Sequence, residues 1–187
     1  MNLILIGPPG AGKGTQAKYL VKKLKNFQVS TGDMLRDEIQ KNSEIGKKIL
    51  DDMSNGKFVD DTIVNKLIEN ILLDPNKKDR LIFDGYPRSL SQAKNLEHLL
   101  TKTDQKIDFI FFLNVSKETI IKRIEQRKII EKRSDDDLET IIKRYETYME
   151  TTKPVLDFYS KNSKFYEIDG SSKIEEITAK IDAFLNV

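Results

Sequence analysis

Near its amino end the chain reads Leu3-Ile4-Leu5-Ile6-Gly7-Pro8-Pro9-Gly10-Ala11-Gly12-Lys13-Gly14-Thr15 and continues Gln16-Ala17-Lys18-Tyr19-Leu20-Val21. A short apolar run reads as a buried strand and the segment after Thr15 as a helix, so the glycine-rich loop joins strand to helix. Gly7, Gly12, Lys13 and Thr15 fill a phosphate-cradling pattern: two glycines separated by four residues, then Lys, then a hydroxyl two places on. Each residue type has a physical task. Glycines let the backbone curl so that several N–H groups face one anion, the ammonium neutralises phosphate charge, and the hydroxyl can ligate Mg²⁺. The positive end of the following helix adds to the attraction. Glycine-rich turns also occur without ligands, but here the lysine, the threonine and the strand-to-helix setting agree on phosphate.

Working outward, apolar runs recur at 2–6, 27–29, 81–84, 109–114 and 165–168, separated by helical patterns. Strands alternating with helices predict parallel βαβ units with helices on both faces of one sheet. Ligands in such sheets bind beyond the carboxyl ends of the strands, where Gly7, Ser30, Gly85 and Gly170 fall. Two segments read as excursions. Residues 30–59 carry helical periodicity without an added strand, ahead of a helix at 63–73. Residues 126–136 form a short break between a helix holding Ile120, Ile121 and Ile124 and one holding Leu138, Ile141, Ile142, Tyr145 and Met149, with Ser134 and Asp137 as a capping box.

Composition narrows the classes. The 187 residues fit one domain with a substantial core. Thirty-two basic residues stand against 30 acidic ones, so no global field favours nucleic acid or a membrane surface. Cysteine is absent, which removes disulfides and thiolate metal sites. No apolar run approaches bilayer-spanning length and the start runs straight into a strand, so a cytoplasmic protein is expected.

Three further clusters carry chemistry: Ser30-Thr31-Gly32-Asp33-Met34-Leu35-Arg36, then Phe83-Asp84-Gly85-Tyr86-Pro87-Arg88, then Arg123, Arg127, Arg133 and Arg144. Strand-end Asp residues often cap helices, and surface Arg residues often pair with acids such as Asp135, Asp136, Asp137 and Glu139. Yet lysine is abundant and arginine sparse, and all the arginines except Arg80 fall in these clusters. Arginine grips phosphate oxygens bidentately. The combination points to a site holding more phosphates than one nucleotide brings. His98 sits on a leucine-flanked helix and reads as structural.

With GPPGAGKGT at 7–15, STGDMLR at 30–36, GKFV at 56–59, FDGYPR at 83–88 with Gln92, RIEQR at 123–127, RSDD at 133–136, KRYETY at 143–148, TKPV at 152–155 and IDG at 168–170, the chain resembles the adenylate kinases of the nucleoside monophosphate kinase family over essentially its full length. The resemblance implies an α/β fold of the phosphate-loop NTPase type, with a five-stranded parallel sheet and helices on both faces. It divides the single domain into a core (1–29, 60–125, 137–187), a monophosphate-binding insertion (30–59) and a short lid (126–136). The implied reaction is reversible phosphoryl transfer from Mg-ATP to AMP, giving two ADP, by a monomer that needs no zinc.

Residue by residue, the resemblance implies that Gly10, Ala11, Gly12, Lys13, Gly14 and Thr15 hold the ATP phosphates, with Arg123 and the backbone of Gly170 at the ATP base. Thr31, Arg36, Lys57, Phe58, Val59, Gly85, Tyr86, Pro87, Arg88 and Gln92 would form the AMP site, Gln92 reading the adenine edge. Thr15, and Asp84 through water, would hold Mg²⁺. Arg127 and Arg133 would close onto the phosphates, and Arg133 and Arg144 would reach AMP, so that Lys13, Arg88, Arg127, Arg133 and Arg144 carry the transfer. Only five residues separate Arg127 from Arg133, the short-lid pattern, though without the glycines common in short lids. Two other readings compete: a UMP and CMP kinase, against which Thr31 stands because pyrimidine members tend to carry Ala there, and a nucleotide-switched binding module, which has no use for Arg36, Arg88 and Gln92 together.

Overall fold

The computed structural model describes residues 1–131 and 138–186. Five strands alternate with helices: β1 (Leu3–Ile6), α1 (Lys13–Leu24), β2 (Phe27–Ser30), α2 (Thr31–Gln40), α3 (Glu44–Ser54), α4 (Asp61–Leu72), β3 (Leu81–Asp84), α5 (Leu90–Lys102), β4 (Phe109–Asn114), α6 (Lys117–Glu131), α7 (Leu138–Thr147), α8 (Lys153–Tyr159), β5 (Phe165–Asp169) and α9 (Ile174–Leu185). All pairings are parallel, in the order β2-β3-β1-β4-β5. The expected five-stranded parallel sheet is therefore present.

Each central strand is buried on both faces, and its side chains alternate between two cores. Ile4, Ile6, Phe83 and Ile110 face the core completed by Val64, Ile68, Leu96 and Val155. Leu3, Leu5, Ile82, Phe111 and Leu113 face the other, completed by Ala17, Leu20, Ile120, Ile124, Ile177 and Ile181. β1 lies between β3 and β4, so chain connections diverge to either side of its carboxyl end. That divergence opens a crevice where the glycine-rich loop begins.

Between β2 and α4 the chain forms α2 and α3. Ser30 Oγ accepts from Asp33 N–H at 3.3 Å and Ser43 Oγ from Gly46 N–H at 2.9 Å, capping the two helices. Leu35, Ile49 and Val59 bury their side chains in the first core and anchor the insertion. Two details differ from the sequence reading. α6 continues through Gln126 to Glu131 instead of breaking at 126, because 126–131 contain neither Gly nor Pro to stop a helix. A π-turn, Tyr148–Thr152, joins α7 to α8, with Lys153 N–H donating five residues back to Tyr148 O. The capping box at Ser134 and Asp137 lies outside the described residues.

Gly46 sits where α3 crosses α2: a Cβ there would lie 2.1 Å from the carbonyl oxygen of Glu38. Backbone cannot yield as a side-chain tip can. Gly46→Ala is expected to lower stability by about 2–3 kcal/mol in urea denaturation, and a loss below ~0.5 kcal/mol would show that the two helices part without cost.

Candidate active site

The loop after β1 curls back on itself. Ala11 N–H donates to Pro8 O at 3.2 Å, and Gly10 and Gly12 take φ of 78° and 93°, a region costly for residues with a Cβ. At Gly10 space forbids a side chain as well, since a Cβ would lie 2.8 Å from Ile124 Cγ1 of α6. Gly12 caps α1 without any side-chain hydrogen bond, whereas α2 to α5 are capped by Ser30, Ser43, Asp60 and Ser89. With no acidic residue in the first turn of α1 either, its leading N–H groups are available to an anion.

Lys13 curls back over this loop. Its Nζ donates to Gly7 O at 2.8 Å and Pro8 O at 2.9 Å. Burial pushes its pKa down from 10.5 to about 8; Asp84 opposes the shift, and Arg88, Arg144 and Arg127 reinforce it. The ammonium is thus held in a site that disfavours its charge.

Asp84 ends β3 beside the loop, and its Oδ2 accepts from Gln28 Nε2 at 2.9 Å. A Cβ on Gly14 would lie 3.5 Å from that same oxygen. Past it, Arg88 Nε donates to Gly85 O at 2.6 Å, and the guanidinium lies 5.4 Å from the centre of the Phe58 ring. Arg36 pairs with Asp33. Arg123 Nη2 donates to Ser172 O at 3.4 Å, tying α6 to the turn before α9.

A cleft of about 470 Å³ collects Gly10, Ala11, Gly12, Lys13, Gly14, Thr15, Arg36, Asp84, Gly85, Arg88, Arg123, Arg127 and Arg144. Adjoining it, a pocket of about 50 Å³ is lined by Thr31, Arg36, Lys57, Phe58, Val59, Arg88, Gln92 and Arg144. A third, of about 60 Å³, reaches Gly7, Lys13, Pro87 and Arg88. Arg88 and Arg144 line all three spaces, so cations from α7 and the β3–α5 turn stand where the compartments meet.

Two residues that the resemblance places at the site lie apart from these spaces. Tyr86 is 1% exposed and donates through Oη to Asn65 Oδ1 at 2.9 Å; burial pushes its phenol up to about 12. Gly170 lines none of the three pockets: its N–H donates to Asn114 O at 2.8 Å, and a Cβ would lie 2.5 Å from Val115 Cγ2. Thr31 lines the smaller pocket but spends its hydroxyl on Gly85 O at 2.8 Å. Arg133 lies outside the described residues. His98 is exposed on α5 and lines none of these spaces.

Sequence reasoning missed Gln28, which holds Asp84, and Ile174 and Ile177, which wall the cleft. It also missed Thr152, which donates to Arg88 O at 2.8 Å from the π-turn. Gln28, Ile174 and Ile177 belong to no motif, and Thr152 opens the TKPV stretch without a role assigned to it; only the fold brings them to the site.

Chains of known type are similar to this one in sequence. The adenylate kinase family model matches residues 5–164. The adenylate kinase of Pelagibacter ubique is 49% identical, with all of both chains covered. That alignment spans 213 positions against 187 residues here, so the relative carries segments this chain lacks. The adenylate kinase of Caulobacter sp. (strain K31) is 43% identical over 187 residues, covering 100% of this chain and 99% of its own. That of Mycoplasma mycoides is 41% identical, covering 96% and 94%.

The depressed pKa of Lys13 has a sign that stability can read. Between pH 8 and 10.5 the unfolded chain binds the proton more tightly, so stability rises with pH through that window, and below it the charged lysine costs on the order of 3 kcal/mol. Lys13→Met is therefore expected to raise stability by about 1–3 kcal/mol at pH 7, after the loss of two hydrogen bonds, with a smaller gain at pH 10. Urea denaturation at both values checks this, and a destabilised variant at pH 7 would contradict it.

Proposed function

Because the chain belongs to the adenylate kinase family, we propose that it transfers the terminal phosphoryl group of Mg-ATP to AMP, reversibly and giving two ADP, and so balances the adenine nucleotides. The observation that carries this reading is the meeting of Arg88 and Arg144 with Lys13 between a phosphate-loop cleft and a second pocket lined by Gln92. A nucleotide-driven switch needs the first compartment and not the second.

In this reading the loop from Gly10 to Thr15 and the start of α1 hold the donor phosphates, while Lys13 meets the oxygens at the transfer end. Arg123 lies toward the ATP base, where Ile174 and Ile177 form an apolar wall. Arg36 and Arg88 grip the acceptor phosphate, and Gln92 reads its base. Arg144 reaches both phosphates. An acceptor phosphate with second pKa near ~6 is already ionised at neutral pH, so positioning and charge neutralisation suffice without a general base. Residues 126–136, with Arg127 and Arg133, act as the lid that excludes water, which would otherwise divert ATP to hydrolysis.

The residues present suit Mg²⁺. Among the described residues no group of three acidic, His or Cys side chains could hold a metal. The buried Asp84 carboxylate, fixed by Gln28, and the Thr15 hydroxyl across the loop nevertheless match an ion that keeps several waters and takes most protein contacts through substrate phosphates. When bound it would neutralise charge on the transferred phosphoryl group. Among the described residues no helix is long and apolar enough to cross a membrane. A cytoplasmic monomer is the state that the family implies.

A coupled assay of ADP formation from Mg-ATP, offering AMP, UMP, CMP and GMP separately against a blank without acceptor, tests the reading. ADP formation is expected to depend on AMP. Equal slow rates with and without acceptor would make the protein a hydrolase or switch. Arg88→Ala is expected to lower kcat/KM for AMP by about 100- to 1000-fold with an unchanged circular dichroism spectrum, and normal transfer by that variant would remove Arg88 from the acceptor site.

A further inference from the structure

Gln92, 2% exposed, lines the smaller pocket, and its amide is tied at both ends. Oε1 accepts the backbone N–H of Arg88 at 2.7 Å, and Nε2 donates to Asp61 Oδ1 at 2.6 Å. Both partners act in one sense only: a backbone N–H donates and a carboxylate accepts. The amide therefore has one admissible orientation, since rotation by half a turn would set its NH₂ against an N–H and its oxygen against a carboxylate. Asp61 is itself fixed. Its Oδ2 accepts from Ser89 Oγ at 2.9 Å, and Ser89 Oγ accepts from Gln92 N–H at 3.1 Å as the cap of α5. The first turn of α4 and the start of α5 thus close a ring around one side chain.

A primary amide has two N–H groups and two lone pairs, and one of each is committed in this ring. One donor and one acceptor remain, in a fixed order, for a base in the pocket. A 6-aminopurine offers N1 as acceptor beside an amino donor. A 6-oxopurine offers N1–H as donor beside an oxygen acceptor. An unrestrained glutamine would turn over and serve either; a tethered one serves one.

We propose that Asp61 is a specificity-positioning residue of the acceptor site, holding the Gln92 amide in the orientation that reads a 6-aminopurine and refuses a 6-oxopurine. The inference rests on the AMP reading given above. Asp61 touches no reacting atom; it acts through Gln92.

The test compares kcat/KM for AMP and IMP in the wild type, Asp61→Ala and Asp61→Asn, with thermal melts on all three. The wild type is expected to prefer AMP strongly. Asp61→Ala is expected to lower the AMP-to-IMP ratio at least tenfold, with KM for ATP unchanged. Asp61→Asn keeps an oxygen to accept from Nε2 and is expected to hold the ratio within threefold of wild type. Should the Ala variant fail to fold, Asp61→Ser, whose side chain is too short to reach Gln92, supplies the same comparison. A folded Ala or Ser variant with the wild-type ratio would overturn the role of Asp61 and leave the AMP reading standing, as would equal losses toward both nucleotides. A wild-type chain without preference for AMP over IMP would overturn the AMP reading itself.

Discussion

Positive charge gathered at one edge of the sheet is the constraint around which this molecule is arranged. Lys13 and the arginines of β3–α5, α6 and α7 converge on one sheet edge, and none of these cations would choose the others as neighbours. What holds them there is the body of the protein. The strands behind the site are buried on both faces, and the helices that present Arg123, Arg127 and Arg144 are fastened by Ile120, Ile124 and Ile141. Apolar burial away from the site holds Lys13 where its charge is disfavoured.

Close backbone contact transmits that arrangement. Gly10 of the phosphate loop has room only for hydrogen because Ile124 of α6 lies against it, and α6 carries Arg123 and Arg127 one turn apart. Thr152 joins the π-turn to Arg88 O, linking the element that follows Arg144 to the turn that bears Arg88. The cations are thus mounted on elements that touch each other and the loop. Their spacing is a property of the core and not of flexible side chains alone.

The sheet was legible in the sequence because buried parallel strands leave short apolar runs between helical patterns, and Leu81–Asp84 and Phe109–Asn114 match such runs end to end. The phosphate loop was legible because its chemistry demands glycine, lysine and hydroxyl at fixed spacing. Less visible were interactions made by ordinary residues across long chain separations. Gln28 holding Asp84, Asp61 holding Gln92, and Gln16 bridging to Ile174 O at 3.3 Å are polar side chains that a reading of periodicity assigns to solvent. The extent of α6 past Gln126 was missed for a different reason: a change of role along a chain does not require a change of backbone. Tyr86 and Gly170 show the converse, motif positions whose side-chain or Cβ environment in this structure is packing.

Gly56 closes the insertion against α7, where a Cβ would lie 3.1 Å from both Arg144 Cγ and Thr140 O. In this posture the pocket that Gln92 lines has about 50 Å³, whereas sites for small ligands occupy roughly 300–1,000 Å³. The larger cleft already stands in that range. The two compartments therefore differ in the room each has in this posture. At the junction with α7, it is the absence of a side chain at position 56 that lets two backbones and the Arg144 stem come this close.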